Sequence, residues 1–273
     1  MISTILVATD GSDGSAAAER AAVQLGSRMR ARIHGLSVIE DRFTKGFRDT
    51  GLGVAAPNPD ALNGFLRARA EAALRRLSER ARAANVEVQG HPAEGIADDR
   101  IVERAESADL IVIGREGMHA AFHTALLGST ANGVLRKTTK PVLVVPSGAE
   151  VGGPILVAFD GSPGSRIGAS LAVHIVTRTA DPIHVFVDSK DKGRASARFD
   201  EVRGIVGTLP VPVREISSTL GRPDVKIVDS AREIRAGLIV MGAYGRNRIS
   251  EYFLGSNAAA VARTTPVAVL LAR

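Results

Sequence analysis

The residues whose types and spacing suit chemistry occur twice in this chain. Asp10-Gly11-Ser12 closes an apolar run from Ile2 to Thr9, and Asp160-Gly161-Ser162 closes a similar run 150 residues later. A carboxylate at such a place can brace the turn and cap the next helix, or accept hydrogen bonds from ribose hydroxyls or an adenine edge. The glycine admits a sharp turn. Further along stand Gly242-Ala243-Tyr244-Gly245, nine residues, and then Gly255-Ser256-Asn257. The first glycines let backbone approach a ligand closely. Gly255-Ser256 opens a helix, whose free N–H groups and positive dipole end form an anion site. A triphosphate could lie between the two glycine clusters. The earlier counterpart is Gly114, Gly117, Gly128 and Ser129, with ten residues, Met118 to Leu127, in the gap.

Two familiar phosphate motifs are excluded. No Gly-Lys-Ser/Thr occurs, so there is no Walker loop. No Gly-x-Gly-x-x-Gly follows the first strand, so the dinucleotide fingerprint is missing.

Such groups need elements to hold them, and those elements also repeat. Ile5-Leu6-Val7-Ala8 returns as Ile155-Leu156-Val157-Ala158, and Ile33-His34 as Ile183-His184, both at an offset of 150. Leu110 to Gly114 returns as Leu238 to Gly242 at an offset of 128, and Pro141-Val142 as Pro266-Val267 at 125. A falling offset means that the second copy has lost residues. Most of the loss follows the second strand. There the first copy carries Glu40 to Gly64, rich in Gly, Pro and Asn, and the second keeps a few residues around Ser189 to Arg194. A period this long marks a duplicated domain, not a solenoid. We expect domains at 1–147 and 153–273, joined by a flexible linker from Pro146 to Pro154.

In the first copy the pattern predicts strands at Ile2–Thr9, Arg32–Ile39, Val86–Gln89, Leu110–Gly114 and Val142–Val145. It predicts helices at Ser15–Met29, Pro59–Ala84, Ala97–Ser107 and Ser129–Lys137. The strands are near-continuous apolar runs, as in parallel sheets covered on both faces. Alternating βαβ units then give a doubly wound α/β sheet, with ligands at the carboxyl ends of its strands.

At 45% hydrophobic residues a core is available, and with 4% aromatics and no Trp it must be built from Ala, Val, Leu and Ile. The absence of Cys excludes disulfides, thiol catalysis and Cys-ligated zinc. A net charge of +6 spread among acids on helical segments, with no interleaved aromatics, argues for solvated faces and against nucleic acid as a partner. No apolar stretch approaches the roughly 20 residues that a membrane helix needs. The chain opens directly on a strand-like run, so a cytoplasmic protein is expected.

The spacing Gly-x2-Gly-x9-Gly-Ser, after a strand ending Ile239-Val240-Met241-Gly242 and before Pro266-Val267-Ala268-Val269, resembles the universal stress protein family. The Asp-Gly-Ser after strand one adds to the likeness, which covers almost the whole chain twice. The resemblance implies two copies of a five-stranded, Rossmann-like parallel-sheet domain of the adenine nucleotide alpha-hydrolase type. It also implies an adenine-nucleotide ligand: ATP, ADP or AMP, with Mg²⁺ as a possible companion. Carried over, it assigns Asp160, Val187, Gly242, Gly245, Arg246, Gly255, Ser256 and Asn257 in the second copy. In the first copy it assigns Asp10, Val38, Gly114, Gly117, Gly128, Ser129 and Thr130. Val187 and Val38 stand for backbone at the end of the second strand, where the family recognises adenine. Two departures bear on function. The first copy has one extra residue between its glycine clusters, and Ala131 and Ala258 stand where the family often carries a hydroxyl to meet phosphate.

His119 and His123 are four apart and without an evident third ligand, so we read them as a phosphate neighbour or a solvated pair. His34 and His184 read as satisfied, half-buried histidines. Arg115 and Arg246 stand near the presumed phosphates, as phosphate partners or as surface arginines. No set of base, metal and oriented water suggests fast hydrolysis. The leading expectation is an ATP-binding regulatory protein with its better site in the second copy, acting on an unknown protein partner. An interaction module without nucleotide and a slow Mg²⁺-dependent ATPase are the alternatives. In the family the last strands of two domains often pair as a dimer. Here Leu143–Val145 and Val267–Leu270 can pair within one chain, giving an internal pseudo-dimer, with a homodimer of whole chains also possible.

Overall fold

The computed structural model describes residues 1–40, 59–117, 127–207, 209–219, 221–245 and 254–273. Strands and helices alternate throughout them. The first half contains β1 (Thr4–Ala8), α1 (Asp13–Met29), β2 (Arg32–Ile39), α2 (Pro59–Ala83), β3 (Val88–Glu94), α3 (Ala97–Ala105), β4 (Leu110–Gly114), α4 (Ser129–Lys137) and β5 (Val142–Val145). The second contains β6 (Ile155–Ala158), α5 (Pro163–Thr179), β7 (Ile183–Asp188), α6 (Lys192–Val206), β8 (Val213–Ser218), α7 (Pro223–Glu233), β9 (Leu238–Gly242), α8 (Ser256–Thr264) and β10 (Ala268–Ala272).

All ten strands form one sheet in the order β3-β2-β1-β4-β5-β10-β9-β6-β7-β8. Within each half every pair is parallel. The halves meet at β5 and β10, which run antiparallel and pair Leu143 with Leu270. The internal pairing expected from the two last strands is therefore present. Helices cover both faces. Ile5, Val7, Val185 and Val187 pack toward α1, α2, α5 and α6, while Leu6, Ile111, Ile239 and Leu271 pack toward α3, α4, α7 and α8. A strand buried on both faces must be apolar at every position, which accounts for the unbroken runs in the sequence.

Several expectations need correction. β3 continues past Gln89 to Glu94 through Gly90 and Pro92. Its turn-like residues are tolerated because it is an edge strand, where a missing N–H donor costs little. Lys192 to Arg194 belong to α6, capped by Asp191 Oδ1 accepting the Arg194 N–H at 2.7 Å, and are not loop. Residues 59–64, placed in the long loop, are the first turns of α2; residues 41–58 lie outside the described residues. The linker is anchored as well, since Ala149 and Val151 are buried in the core.

Polar contacts tie α1 to α5 beside the strand joint. Arg28 Nη2 donates to the carbonyl of Thr179 and pairs with Asp181 at 2.8 Å. Arg178 Nη1 donates to the carbonyl of Met29, and the Ile2 N–H donates to His174 Nε2 at 3.0 Å. That last bond requires an unprotonated Nε2. Burial, seconded by nearby positive charge, lowers the pKa of His34, His174 and His184 below their ordinary 6.5. The unfolded chain therefore takes up these protons before the folded chain does. Stability should be full above about pH 7 and fall as pH drops through 6.5 toward the depressed folded values. Thermal unfolding midpoints between pH 7.5 and 5.5 would show this. Replacing His174 with Gln should flatten part of the slope, and an unchanged slope would remove His174 from the account.

Candidate functional site

In each half the strand order reverses between β1 and β4, or between β6 and β9, and successive helices leave to opposite faces. That arrangement opens a crevice at the carboxyl ends of the two strands. In the second half the crevice is a cavity of about 610 Å³, within the range that holds small ligands and cofactors.

One wall follows β6. Gly161 holds φ at 75°, which favours glycine. The Ser162 N–H donates to Asp160 Oδ1 at 2.9 Å, and Ser162 Oγ accepts the Ser165 N–H at 3.2 Å. The serine thus caps α5. The aspartate braces the turn with one oxygen while the residue still lines the cavity.

A second wall follows β9, and its two glycines have different reasons. A Cβ on Gly242 would lie 2.9 Å from Ser165 N and 3.0 Å from Gly164 C. Gly242 is therefore demanded by the first turn of α5, and ligand approach is not its first requirement. Around Gly245, by contrast, no described atom lies within 4 Å of such a Cβ. Gly255 N–H donates to the Ala243 carbonyl at 2.8 Å, which ties the start of α8 to the end of β9. Gly255 is the N-cap of α8 and provides no side-chain cap. The first helical N–H bond runs from Ala259 to the Gly255 carbonyl. Ser256, Asn257 and Ala258, which carry the N–H groups left over, all line the cavity. Ala258 is also buried in the core, so its missing hydroxyl accompanies close packing.

The remaining wall was largely missed from the sequence. It comprises Phe186 and Asp188 of β7, Arg198 of α6, Ile227 of α7, Met241 and Tyr244. Val187, expected there, is fully buried on the opposite face of the strand. Only its backbone, not its side chain, is near the site. The repeat itself carried the signal, since the offset that pairs Ile33 with Ile183 also pairs Val38 with Asp188. The strand registers agree: Ala8 stands opposite Leu36, and Ala158 opposite Phe186. Arg198 had no such signal, because a basic residue on a polar helix looks solvated until the helix is docked. Arg246, His119 and His123 lie outside the described residues.

The first half builds the same frame and closes it. Asp10 Oδ1 accepts from the N–H and Oγ–H of Ser12. A Cβ on Gly117 would lie 3.6 Å from Asp10 Oδ2, and one on Gly128 would lie 3.5 Å from Gly117 N. The turn after β4 is thus folded against the strand-one carboxylate, where the second half leaves space. Its close fit extends to Gly14, whose Cβ would meet the Glu116 carbonyl oxygen at 2.2 Å, and to Gly114, held against Gly14. Arg115 was expected near phosphates. Instead it pairs with Glu116 at 2.6 Å and donates to the Thr265 carbonyl in the other half. Glu116 Oε2 in turn accepts from Ser147. Ser129 and Thr130 open α4 with Gly128 as N-cap, and Val38 packs half-buried against the core. Among the described residues no group of three or more metal-ligating side chains occurs.

The universal stress protein family model matches residues 1–146 and again 153–273. The chain belongs to the universal stress protein family. A universal stress protein of Synechocystis, Slr1230, is 27% identical over 98% of this chain and 99% of its own length. One from Mycolicibacterium smegmatis is 30% identical over 63% of this chain; the match spans 65% of that relative, just under two thirds. The crystal structure of a universal stress protein from Archaeoglobus fulgidus superposes with a TM-score of 0.75 over 99% of this chain and 98% of its own, at 24% identity, which speaks for the fold. No described helix is long and apolar enough to cross a membrane.

Proposed function

We propose that the second half, residues 153–273, binds an adenine nucleotide, ATP foremost, and that occupancy regulates contact with a protein partner. One observation carries the reading: the open cavity joins a strand-end carboxylate to an uncapped helix N-terminus. Asp160 is suited to ribose hydroxyls. The N–H groups of Ser256, Asn257 and Ala258 are suited to phosphate oxygens, with the helix dipole adding about 0.3–1 kcal/mol for an anion there. Phe186, Ile227 and Met241 offer an apolar bed for the base. Asp160 is also the carboxylate from which a Mg²⁺ companion of the phosphates would be held.

The first half, residues 1–147, is read as the interaction module, on the ground that Gly117 stands against Asp10 where a ribose would go. Nothing in the lining supplies a general base opposite the uncapped helix end, so a binding role is favoured over fast turnover.

The test is stoichiometry. Gently purified protein, heat-extracted and assayed for adenine nucleotide, should release about one equivalent per chain, since only one crevice is open. Two equivalents would show that the first half opens in solution. None, confirmed by titration with ATP and Mg²⁺, would leave the interaction module as the function of both halves.

A further inference from the structure

We infer that Asp188 is the base-reading residue of the second-half site, accepting a hydrogen bond from the exocyclic amino group of the bound purine. The inference rests on the nucleotide reading above and adds to it the group that selects the base.

Three observations support it. Asp188 lines the cavity beside Phe186, at the carboxyl end of β7. Its Oδ1 is fully buried and finds no hydrogen-bond partner among the described residues. A buried acceptor left unpaired costs free energy, and a ligand N–H restores the loss, most strongly when the acceptor is charged. Third, the backbone acceptor at this strand end is already engaged. The Asp188 carbonyl accepts from Arg198 Nη1 at 3.0 Å, and that arginine is buried. The acceptor left facing the cavity is thus the carboxylate. Such a group welcomes a base that presents N–H donors and disfavours one that presents only lone pairs.

The first half shows what the site would be without this group. Val38 occupies the same strand position, one side chain unable to accept a hydrogen bond, so the fold tolerates valine there.

A ligand-by-protein cycle tests the inference. Affinities for ATP and for purine riboside 5′-triphosphate, which lacks only the amino group, are measured by calorimetry on the full chain. The same is done for Asp188→Val and the near-isosteric Asp188→Asn. The wild type should prefer ATP by about tenfold or more. Asp188→Val should bind the two ligands alike, with the change falling on ATP, and Asp188→Asn should show a reduced preference. Equal affinities in the wild type, or a preference that survives in Asp188→Val, would overturn the role of Asp188 and leave the nucleotide site standing. Failure of the wild type to bind either triphosphate would overturn both. A GTP titration completes the set: GTP bound at least as tightly as ATP, with that affinity untouched in Asp188→Val, would also count against the inference.

Discussion

Gly245→Trp should lose nucleotide affinity by about 100-fold or more while unfolding at the wild-type temperature. The separation follows from where a side chain would go. No described atom lies within 4 Å of a Cβ at Gly245, and the residue borders the cavity. An indole there enters space that the fold does not use and that a ribose or phosphate would need. Neighbouring glycines do not offer the same test. Gly242 stands against the first turn of α5, so any side chain there strains the fold and confuses lost binding with lost structure. ATP titration beside thermal unfolding would check the result. Retained affinity in a folded Gly245→Trp would move the site elsewhere.

Glu19→Ala should destabilise the chain by about 3 kcal/mol, with Glu19→Gln intermediate. Glu19 is fully buried in α1. Its carboxylate accepts from Arg76 Nε at 2.9 Å and Nη2 at 2.5 Å, from Arg80 Nη1 at 3.1 Å and from Thr9 Oγ1 at 2.6 Å. The hydrogen bond to Glu19 holds Arg76 more firmly protonated, while burial pulls Arg80 the other way. Removing the carboxylate leaves two guanidinium groups facing a hole. They are about one-third exposed, at 34% and 32%, so water relieves part of their cost and the effect stays at the lower end for a broken buried pair. Urea unfolding of the variants would measure it; a loss below about 1 kcal/mol would mean that the cluster is no better than surface pairs. The second half builds the same place without charge, with Phe159 for Thr9 and Ala169 for Glu19, all at the repeat offset of 150. Buried ion pairs and apolar packing are alternative solutions of similar net worth, which is how one repeat can drift from one to the other.

That drift separates what was legible from what was not. Apolar runs, capping serines and the turn glycines at positions 11 and 161 announced the strands, the helices and their order, because local sterics and two-sided burial act on a few consecutive residues. The repeat carried the duplication, and its last strands carried the joint at β5 and β10. The strand-end aspartates and the helix-opening Gly255 were legible for the same local reason.

Which side chains meet across the crevice was decided by docking. Asp188 faces the cavity and Val187 the core because side chains alternate along a strand, so one residue of register reverses the assignment. Arg198 reaches the site only because α6 packs over β7, and Arg115 leaves it only because the other half presents the Thr265 carbonyl. The same spacing of glycines stands open at Gly245 and closed at Gly117. By itself the sequence determined the elements and the glycine frame of both sites. The tertiary structure decided which frame has room for a ligand, because that depends on angstrom-scale contacts between segments far apart in the chain.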